Sequence, residues 1–494
     1  AGSYIQIHQS TVQCCLNLYR SDPGKLLGSS SSEPDDYSFT TYSSWRVGYD
    51  RLAHRDKWFF GLLAFMQRDN ISEDIFRFAA TRILDRPSSL PSTYAELLSE
   101  RIVTQMLARF RTLDKRWDRT SFLGAMSQLR ACSLIDFNPI NMKYSMHPLV
   151  QQWARSMIEY PAIRSRCAAL LLALSVSSES TAEVYVHHRA LLSHLDELPP
   201  HELCRPRSAE RFQLVYYQFG RYEESEQLLN IILDLDGRAL GHRRNPHVLN
   251  IMAKLTDTYW GQGRWHDAEK LGQDTLAAQR RTLGEKHPDT LKTMARLANI
   301  YRKLGRWQSA ELLMCMTLNV RNHVLGETHP DTLATKADLA RIYADRERWD
   351  KAEMLLLDVL KAKSELLGDQ HPATLASMNT LVRAYRGQRR LEDAKALGRN
   401  VLDSSKRILG HDHPNTISSR AQLALVYRDM GQLPKAALLM SQALDSSRRV
   451  LRQSHPYTLR RNELLTKINM DIQRRQSDAV VTPSSQWSWG RGWI

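Results

Sequence analysis
A two-residue phrase returns at a fixed interval, and it limits what this chain can fold into more than any other feature. His287-Pro288, His329-Pro330, His371-Pro372, His413-Pro414 and His455-Pro456 follow one another 42 residues apart, and Asn245-Pro246 holds the same place one step upstream. Other columns keep the beat: Tyr259, Tyr301, Tyr343, Tyr385 and Tyr427; Ala268, Ala310, Ala352, Ala394 and Ala436; Gly284, Gly326, Gly368 and Gly410. A fixed period of this length is the signature of a solenoid, in which each unit buries its apolar face only against its neighbours.

Each period reads as two helices. Between Gly284 and Leu325, Gly284 closes the preceding helix, because glycine tolerates the left-handed backbone found there. Pro288 opens the next helix at its first position, where the missing N–H is no loss, and Asp289 puts a negative charge at the positive end of the helix dipole. Leu291, Met294, Leu297, Ala298 and Tyr301 make one apolar face; Gly305-Arg306-Trp307 is the turn; Ala310, Leu313, Met314 and Thr317 face back from the second helix.

The runs Leu297-Ala298-x-x-Tyr301, Gly305-Arg306-Trp307, Ala310-Glu311 and Leu325-Gly326-x-x-His329-Pro330 resemble the tetratricopeptide repeat in its 42-residue, kinesin-light-chain-like form. The resemblance covers residues 208–475, about six helix pairs and a final helix from Pro456 suited to capping the stack. It drifts late, where Gly-Arg-Trp becomes Arg389-Arg390-Leu391 and then Gly431-Gln432-Leu433, and early, at Tyr217 and Gly220-Arg221-Tyr222.

The preceding residues read differently. Residues 1–28 and segments from Tyr42, Trp58, Ile75 and residue 93 have helical spacing, with a Ser-rich loop at 28–36. From 119 to 158 the pattern is helix (Phe122, Met126, Leu129), strand (Ser133-Leu134-Ile135), turn (Asn138 to Asn141), strand (Met142 to Met146) and helix from Pro148. That order, with Met146-His147-Pro148-Leu149, resembles the winged-helix end of an NB-ARC module, the nucleotide-binding core of STAND-class switch proteins, in particular fungal NLR-like ones. The resemblance implies a helical remnant at 1–40, a winged-helix-like domain at 41–159, a helical linker at 160–207 and the repeats at 208–475. Residues 476–494 form a polar, then Trp-rich tail expected to be disordered. The fold class expected is mainly α: a winged-helix-like region followed by an α-solenoid.

The resemblance also implies that His147 is a latent nucleotide contact, matching the His of the family's Met-His-Asp motif, which meets the bound ADP phosphate. Pro148 stands where the motif has Asp, and a competing reading makes His147 the cap of the helix that Pro148 opens. No GxxxxGK[ST] stretch occurs, so no backbone loop with a lysine is available to cradle phosphates. We therefore expect no cofactor in this chain, with ADP or ATP belonging only to a longer parent. A start at Ala1-Gly2-Ser3 without Met fits such a fragment.

No nucleophile and base stand at a motif spacing, so no enzyme is read here. His187, His188 and His194 lack a matching Cys or carboxylate set, and no metal site is expected. Six cysteines without CxxC spacing read as free thiols in a reducing, cytoplasmic compartment. No apolar run reaches the ~20 residues that span a bilayer. The net charge of +15 is spread over helix faces without interleaved aromatics, which disfavours nucleic acid as a partner.

What remains is a surface. In proteins resembling this one the first helix of each pair lines a concave groove. Five residues before each tyrosine stand Lys254, Arg296, Asp338, Thr380 and Gln422; two before stand Asp257, Asn299, Arg341, Arg383 and Leu425; just after stand Trp260, Arg302, Ala344, Arg386 and Arg428. Arginine pairs bidentately with carboxylates, so this groove is expected to bind a protein or peptide segment carrying acidic residues; self-association stays open. The sequence thus reads as a non-catalytic scaffold or sensor, the regulatory part of a STAND switch. A kinesin-light-chain-like cargo adaptor would need a heptad coiled coil, which residues 1–160 lack. A winged-helix transcription regulator would need a basic recognition helix, and Arg119 to Ala131 offers only Arg119 and Arg130.

Overall fold
A computed structural model describes residues 41–82, 93–179, 181–240 and 245–481 of the 494. The expectations for 1–40 and for the tail from 482 onward lie outside the described residues, while 476–481, expected to be disordered, continue the last helix. The chain divides into two compact units, 1–178 with 190–212, and 179–189 with 213–494.

The first unit holds α1 (Thr41–Asp50), α2 (His54–Leu63), β1 (Ile71–Ser72), α3 (Glu73–Arg82), α4 (Tyr94–Ala108), α5 (Arg119–Ala131), β2 (Asp136–Asn138), β3 (Lys143–Ser145), α6 (Pro148–Met157) and α7 (Pro161–Ser175). Its core is aromatic. Phe59, Phe76, Phe110 and Phe122 are fully buried with rings 5.2–5.6 Å apart, and Trp153 stacks among Trp45, Tyr49 and Phe60. Asp56, 2% exposed, is neutralised by Arg109 at 2.5 Å. The buried Gln151 amide donates to the carbonyls of Ala64 and Met66 and so satisfies the end of α2.

The strands form one antiparallel sheet of order β1-β3-β2, with Phe137 opposite Tyr144 and Ile71 on the other side of Tyr144. The strand expected at Ser133 to Ile135 lies instead at Asp136–Asn138. Ser133 has φ +53°, and the Leu134 N–H bonds back to Leu129 O, so those residues close α5 while Leu134 and Ile135 enter the core. Leu134 and Ile135 read as strand because a helix's closing turn buries the same residue types. The segment expected as a linker is helical, and α7 packs on α2, α3 and α4 inside the first unit.

Next in the chain come α8 (Ala182–Glu197), α9 (Pro200–Leu203) and α10 (Pro206–Gln218). The second unit continues with α11 (Tyr222–Leu240), then pairs of helices: α12 (Pro246–Gly261) and α13 (Trp265–Thr282), α14 (Pro288–Lys303) and α15 (Trp307–Leu325), α16 (Pro330–Asp345) and α17 (Trp349–Leu367), α18 (Pro372–Gly387) and α19 (Leu391–Leu409), α20 (Pro414–Asp429) and α21 (Leu433–Leu451), and finally α22 (Pro456–Val481). The chain is mainly helical, a stack of repeated pairs with little sheet.

Each repeat is punctuated the same way. The Nδ1 atoms of His287, His329, His371, His413 and His455 accept the N–H two residues on, at 3.1–3.2 Å, and the Asn245 side chain does the same at 2.9 Å. The imidazole thus caps the helix as Asn or Asp would. The alanine column is fully buried, so the paired helices pack closely there. The turn between the helices needs a left-handed residue whatever its identity: Gly263, Gly305 and Gly431 adopt φ of 77–79°, and Glu347 and Arg389 are held at +57° and +66° in the same place. This explains why the Gly-Arg-Trp motif drifts without losing the turn.

The stack returns on itself. Phe219 meets His413 at 5.4 Å between ring centres, and His455 Nε2 bonds the Gly261 carbonyl at 2.9 Å. Arg452 pairs with Glu223, and Tyr185 packs on His371. A Cβ at Gly263 would lie 2.5 Å from Pro456, so this glycine is required both by its positive φ and by the approach of the later repeat.

Burial pushes His413 down to about 4 and also lowers His455. Below the ordinary value of about 6.5 the unfolded chain takes up protons that the folded one refuses, so stability falls as pH drops from 6.5 towards 4. His413 alone accounts for up to about 3 kcal/mol of that loss. In His413→Asn, an amide caps the helix as Asn245 does, and urea unfolding at pH 7 and pH 4.5 should show a smaller difference in midpoint than in the parent protein.

Candidate functional site
Most of the charged residues expected in the groove are paired side chain to side chain. They form a ladder of ion pairs between successive first helices of the pairs. Arg296 on α14 pairs with Asp257 on α12. Asn299 donates to Asp338 on α16 at 2.7 Å, and Arg341 pairs with the same carboxylate at 2.6 Å. Arg302 reaches Asp345 at 2.6 Å, and Arg383 on α18 reaches Asp345 at 2.5 Å from the other side. Arg386 and Arg428 share Asp429 at 3.4 and 2.8 Å.

Two features of this face were not in the sequence reading. Arg302, Arg383 and Arg386 are bound by acids on the neighbouring first helix, and Arg428 by Asp429 beside it in its own helix. The column after each tyrosine is not a uniform groove lining: Ala344 is fully buried in a core cluster, while Trp260 packs on the preceding cluster with Arg296 over its ring at 5.0 Å. Thr380 and Gln422 are buried to half-buried, the Thr380 hydroxyl bonding the Ala376 carbonyl. Lys254 lines a cleft between α12 and α14.

The residues that sequence reading missed are Asp345 and Asp429. Both occupy the column two after the tyrosine, which also holds Gly261, Lys303 and Gly387. The signal lay across columns: an arginine one after the tyrosine meets an aspartate two after the tyrosine of the next repeat, as in Arg302 with Asp345 and Arg386 with Asp429. Burial would raise the Asp345 carboxyl, but Arg302 and Arg383 outweigh it and hold it below the usual range.

A second ladder runs along the turns. Arg264, Arg306, Arg348 and Arg390 each reach a glutamate on the preceding repeat: Glu226 at 3.0 Å, Glu269 at 2.5 Å, Glu311 at 3.2 Å and Glu353 at 2.7 Å. Arg264 and Arg390 also lie over Tyr259 and Tyr385, 4.2 Å from the ring centres. Arg and Glu of the repeat motif are thus mortar between repeats, and the tyrosines join the apolar clusters that bridge them.

In the first unit His147 caps α6, its Nδ1 accepting the Leu149 N–H at 3.2 Å, and its side is exposed. His194 is buried between the Gln67 N–H and the Asn70 carbonyl, and His188 bonds Gln218, so both act in packing. Among the described residues, no group of three or more His, Cys, Asp or Glu is placed to hold a metal, and no helix is long and apolar enough to cross a membrane.

A family description, tetratricopeptide repeat, matches residues 214–280, 249–323, 331–404 and 384–449. The repeats are tetratricopeptide repeats. No curated protein matches the chain. Among solved structures, the kinesin-light-chain-type, nearly identical TPR-like repeats of Podospora anserina are similar at 29% identity, over 42% of this chain and 99% of that one, with a TM-score of 0.33. A STAND protein with a tetratricopeptide repeat sensor from Pyrococcus horikoshii is similar at 13% identity, over 95% of this chain and 70% of that one, with a TM-score of 0.38. A Rap protein complexed with competence and sporulation factor is similar at 7% identity over 77% of this chain and 99% of that one, with a TM-score of 0.43.

Removing one anion of the ladder leaves buried cations behind. Arg302 is 5% exposed in its side chain, so Asp345→Ala in these repeats should cost about 3 kcal/mol or more of stability. Glu392→Gln, which breaks the exposed pair with Lys395, should cost about 0–1 kcal/mol. Urea unfolding midpoints of the two variants check the contrast.

Proposed function
We propose that this chain is a non-catalytic protein-interaction scaffold or sensor whose inner repeat face binds a partner segment carrying acidic residues. One observation carries the reading. From five residues before to two after each tyrosine of α12 to α20 stand eight basic side chains (Lys254, Arg296, Arg302, Lys303, Arg341, Arg383, Arg386, Arg428) and four acidic ones (Asp257, Asp338, Asp345, Asp429). Asp345 and Asp429 are each shared by two arginines, so the ladder is held together yet positive in sum. A guanidinium holding half an aspartate keeps donors for a second carboxylate.

In the wider reading the first unit is the winged-helix end of an NB-ARC-type switch. In a longer parent His147 would then contact nucleotide, and the repeats would hold the switch closed until a partner binds. The two antiparallel strands that follow α5, and the exposed His147 at the head of α6, support it. The free thiols Cys132, Cys167, Cys204 and Cys315 support a reducing, cytoplasmic setting.

The test uses a fluorescein-labelled octaglutamate peptide, with octalysine as control, followed by anisotropy at low and high salt. Binding of octaglutamate alone, weakened by salt, is expected. The variant Arg341→Gln/Arg383→Gln/Arg428→Gln leaves Asp338, Asp345 and Asp429 with Asn299, Arg302 and Arg386 as partners. It should keep its melting temperature and bind about 10-fold more weakly. Unchanged affinity, or equal binding of octalysine, overturns the acidic-partner reading.

A further inference from the structure
Two cations at the inner face stand outside the ladder. Lys303 ends α14, and Arg460 lies near the start of α22. Neither has a carboxylate within ion-pair distance among the described residues, whereas Arg302, Arg341, Arg383, Arg386 and Arg428 each have one.

The return of the stack on itself brings the two together. His455 Nε2, bonded to the Gly261 carbonyl at 2.9 Å, seats the head of α22 on the turn that follows α12. The Tyr457 ring then lies 4.7 Å from the Lys303 ammonium and 6.3 Å from the Trp265 ring. Arg460 follows Tyr457 by three residues, the spacing that puts two side chains on one face of a helix. Its charge is felt at both Lys303 and Arg386, which places it towards the inner face. Arg461, beside it, is engaged by the Ser447 hydroxyl at 2.8 Å. Burial, with the charges of Arg302, Arg341 and Arg460, holds the Lys303 ammonium well below its usual range, and Asp345 acts the other way. That carboxylate is already shared by Arg302 and Arg383. Three of the cations are open to a ligand: Arg460 is exposed, Lys303 is partly so, and the Arg341 side chain keeps 30% of its surface.

We propose that Lys303, Arg341 and Arg460 form a subsite for a phosphoryl dianion, supplied by a phosphorylated side chain of a bound segment or by free phosphate. Charge and shape both favour it. A single carboxylate would leave cations in excess here, and its two coplanar oxygens suit one guanidinium. A phosphoryl group carries about −1.5 to −2 charge at neutral pH and three acceptor oxygens. It can therefore take the ammonium of α14 and the guanidinium groups of α16 and α22 together. Lysine serves phosphate as a point charge, without the planar fit that arginine asks of a carboxylate. A neutral ligand would leave the repulsion among these cations as it is. The subsite rests on the inner face being the binding surface, and it names the anion that this end of the face prefers.

The test is isothermal titration calorimetry of the full chain with acetyl-Gly-phosphoserine-Gly-amide, inorganic phosphate and acetyl-Gly-Glu-Gly-amide. The phosphoserine peptide should bind at one site, at least about 10-fold more tightly than the Glu peptide. Lys303→Gln and Arg460→Gln should each weaken that binding about 10-fold. Both should keep or raise the melting temperature, because each removes a cation from among others. Arg474→Gln removes an exposed cation farther along α22 and should leave binding unchanged. Inorganic phosphate binding as tightly as the phosphoserine peptide assigns the subsite to free phosphate; tighter binding of the peptide assigns it to a phosphorylated segment. No binding of either phosphate probe, equal binding of the Glu peptide, undiminished affinity in both Lys303→Gln and Arg460→Gln, or an equal loss in Arg474→Gln overturns the subsite. Octaglutamate binding without phosphoserine binding removes this proposal alone; phosphoserine binding without octaglutamate binding removes only the acidic-partner reading.

Discussion
Every first helix in the array begins where an imidazole or amide accepts the N–H two residues on, and that cap sets the register of everything behind it. A helix starting one residue early would turn its apolar face by about 100° and bring the buried alanine column to the surface. The His-Pro step prevents this twice over. Proline cannot continue the preceding helix backwards, and the histidine takes one of the N–H groups that the first turn leaves without a partner. With starts fixed 42 residues apart, equivalent side chains on successive helices fall in line. Only then can an arginine in one repeat find a carboxylate in the next.

That alignment makes the inner face a lattice rather than an open patch. Asp345 is reached from α14 and from α18, so one carboxylate ties three repeats together. Such pairs lose hydration on burial, and the gain over an apolar contact is small. Their stronger effect is on specificity of stacking, since a slipped register would leave Arg302 buried without an anion. A segment of the kind proposed would meet charges already fixed in direction, so that little side-chain freedom would be lost in using them.

How much of this was legible in the sequence follows from range. The helix pairs, the caps and the left-handed turns are local, and His287-Pro288 or Gly305 announces them within a few residues. The buried alanines were legible because repetition singles out what a stack demands. The strand expected at Ser133 failed because Leu134 and Ile135 are buried by a closing helical turn, and burial alone does not distinguish the two. The carboxylates that hold the arginines were not legible: the partners of Arg302, Arg383 and Arg386 stand 38 to 43 residues away in a column of mixed identity, where Asp345 and Asp429 share a place with Gly261 and Gly387.

The return of the repeats upon themselves bears on how such a face could work. Gly220 lies against Pro414 and Val450, Gly263 against Pro456, and His455 bonds the Gly261 carbonyl, so turns near the start of the array are seated on caps near its end. A solenoid free at both ends can open or tighten by small rotations shared among its repeats. Here those rotations are coupled: widening the inner face would have to pull Pro456 from Gly263 and break a buried imidazole–carbonyl bond. The same histidine caps α22, so a change at the seam is a change in how the last helix begins. Lys303, at the end of α14 and over the Tyr457 ring at 4.7 Å, joins the inner face to that seam, and burial holds its ammonium well below the usual range. The inner face and the seating of the last helix thus meet at one side chain.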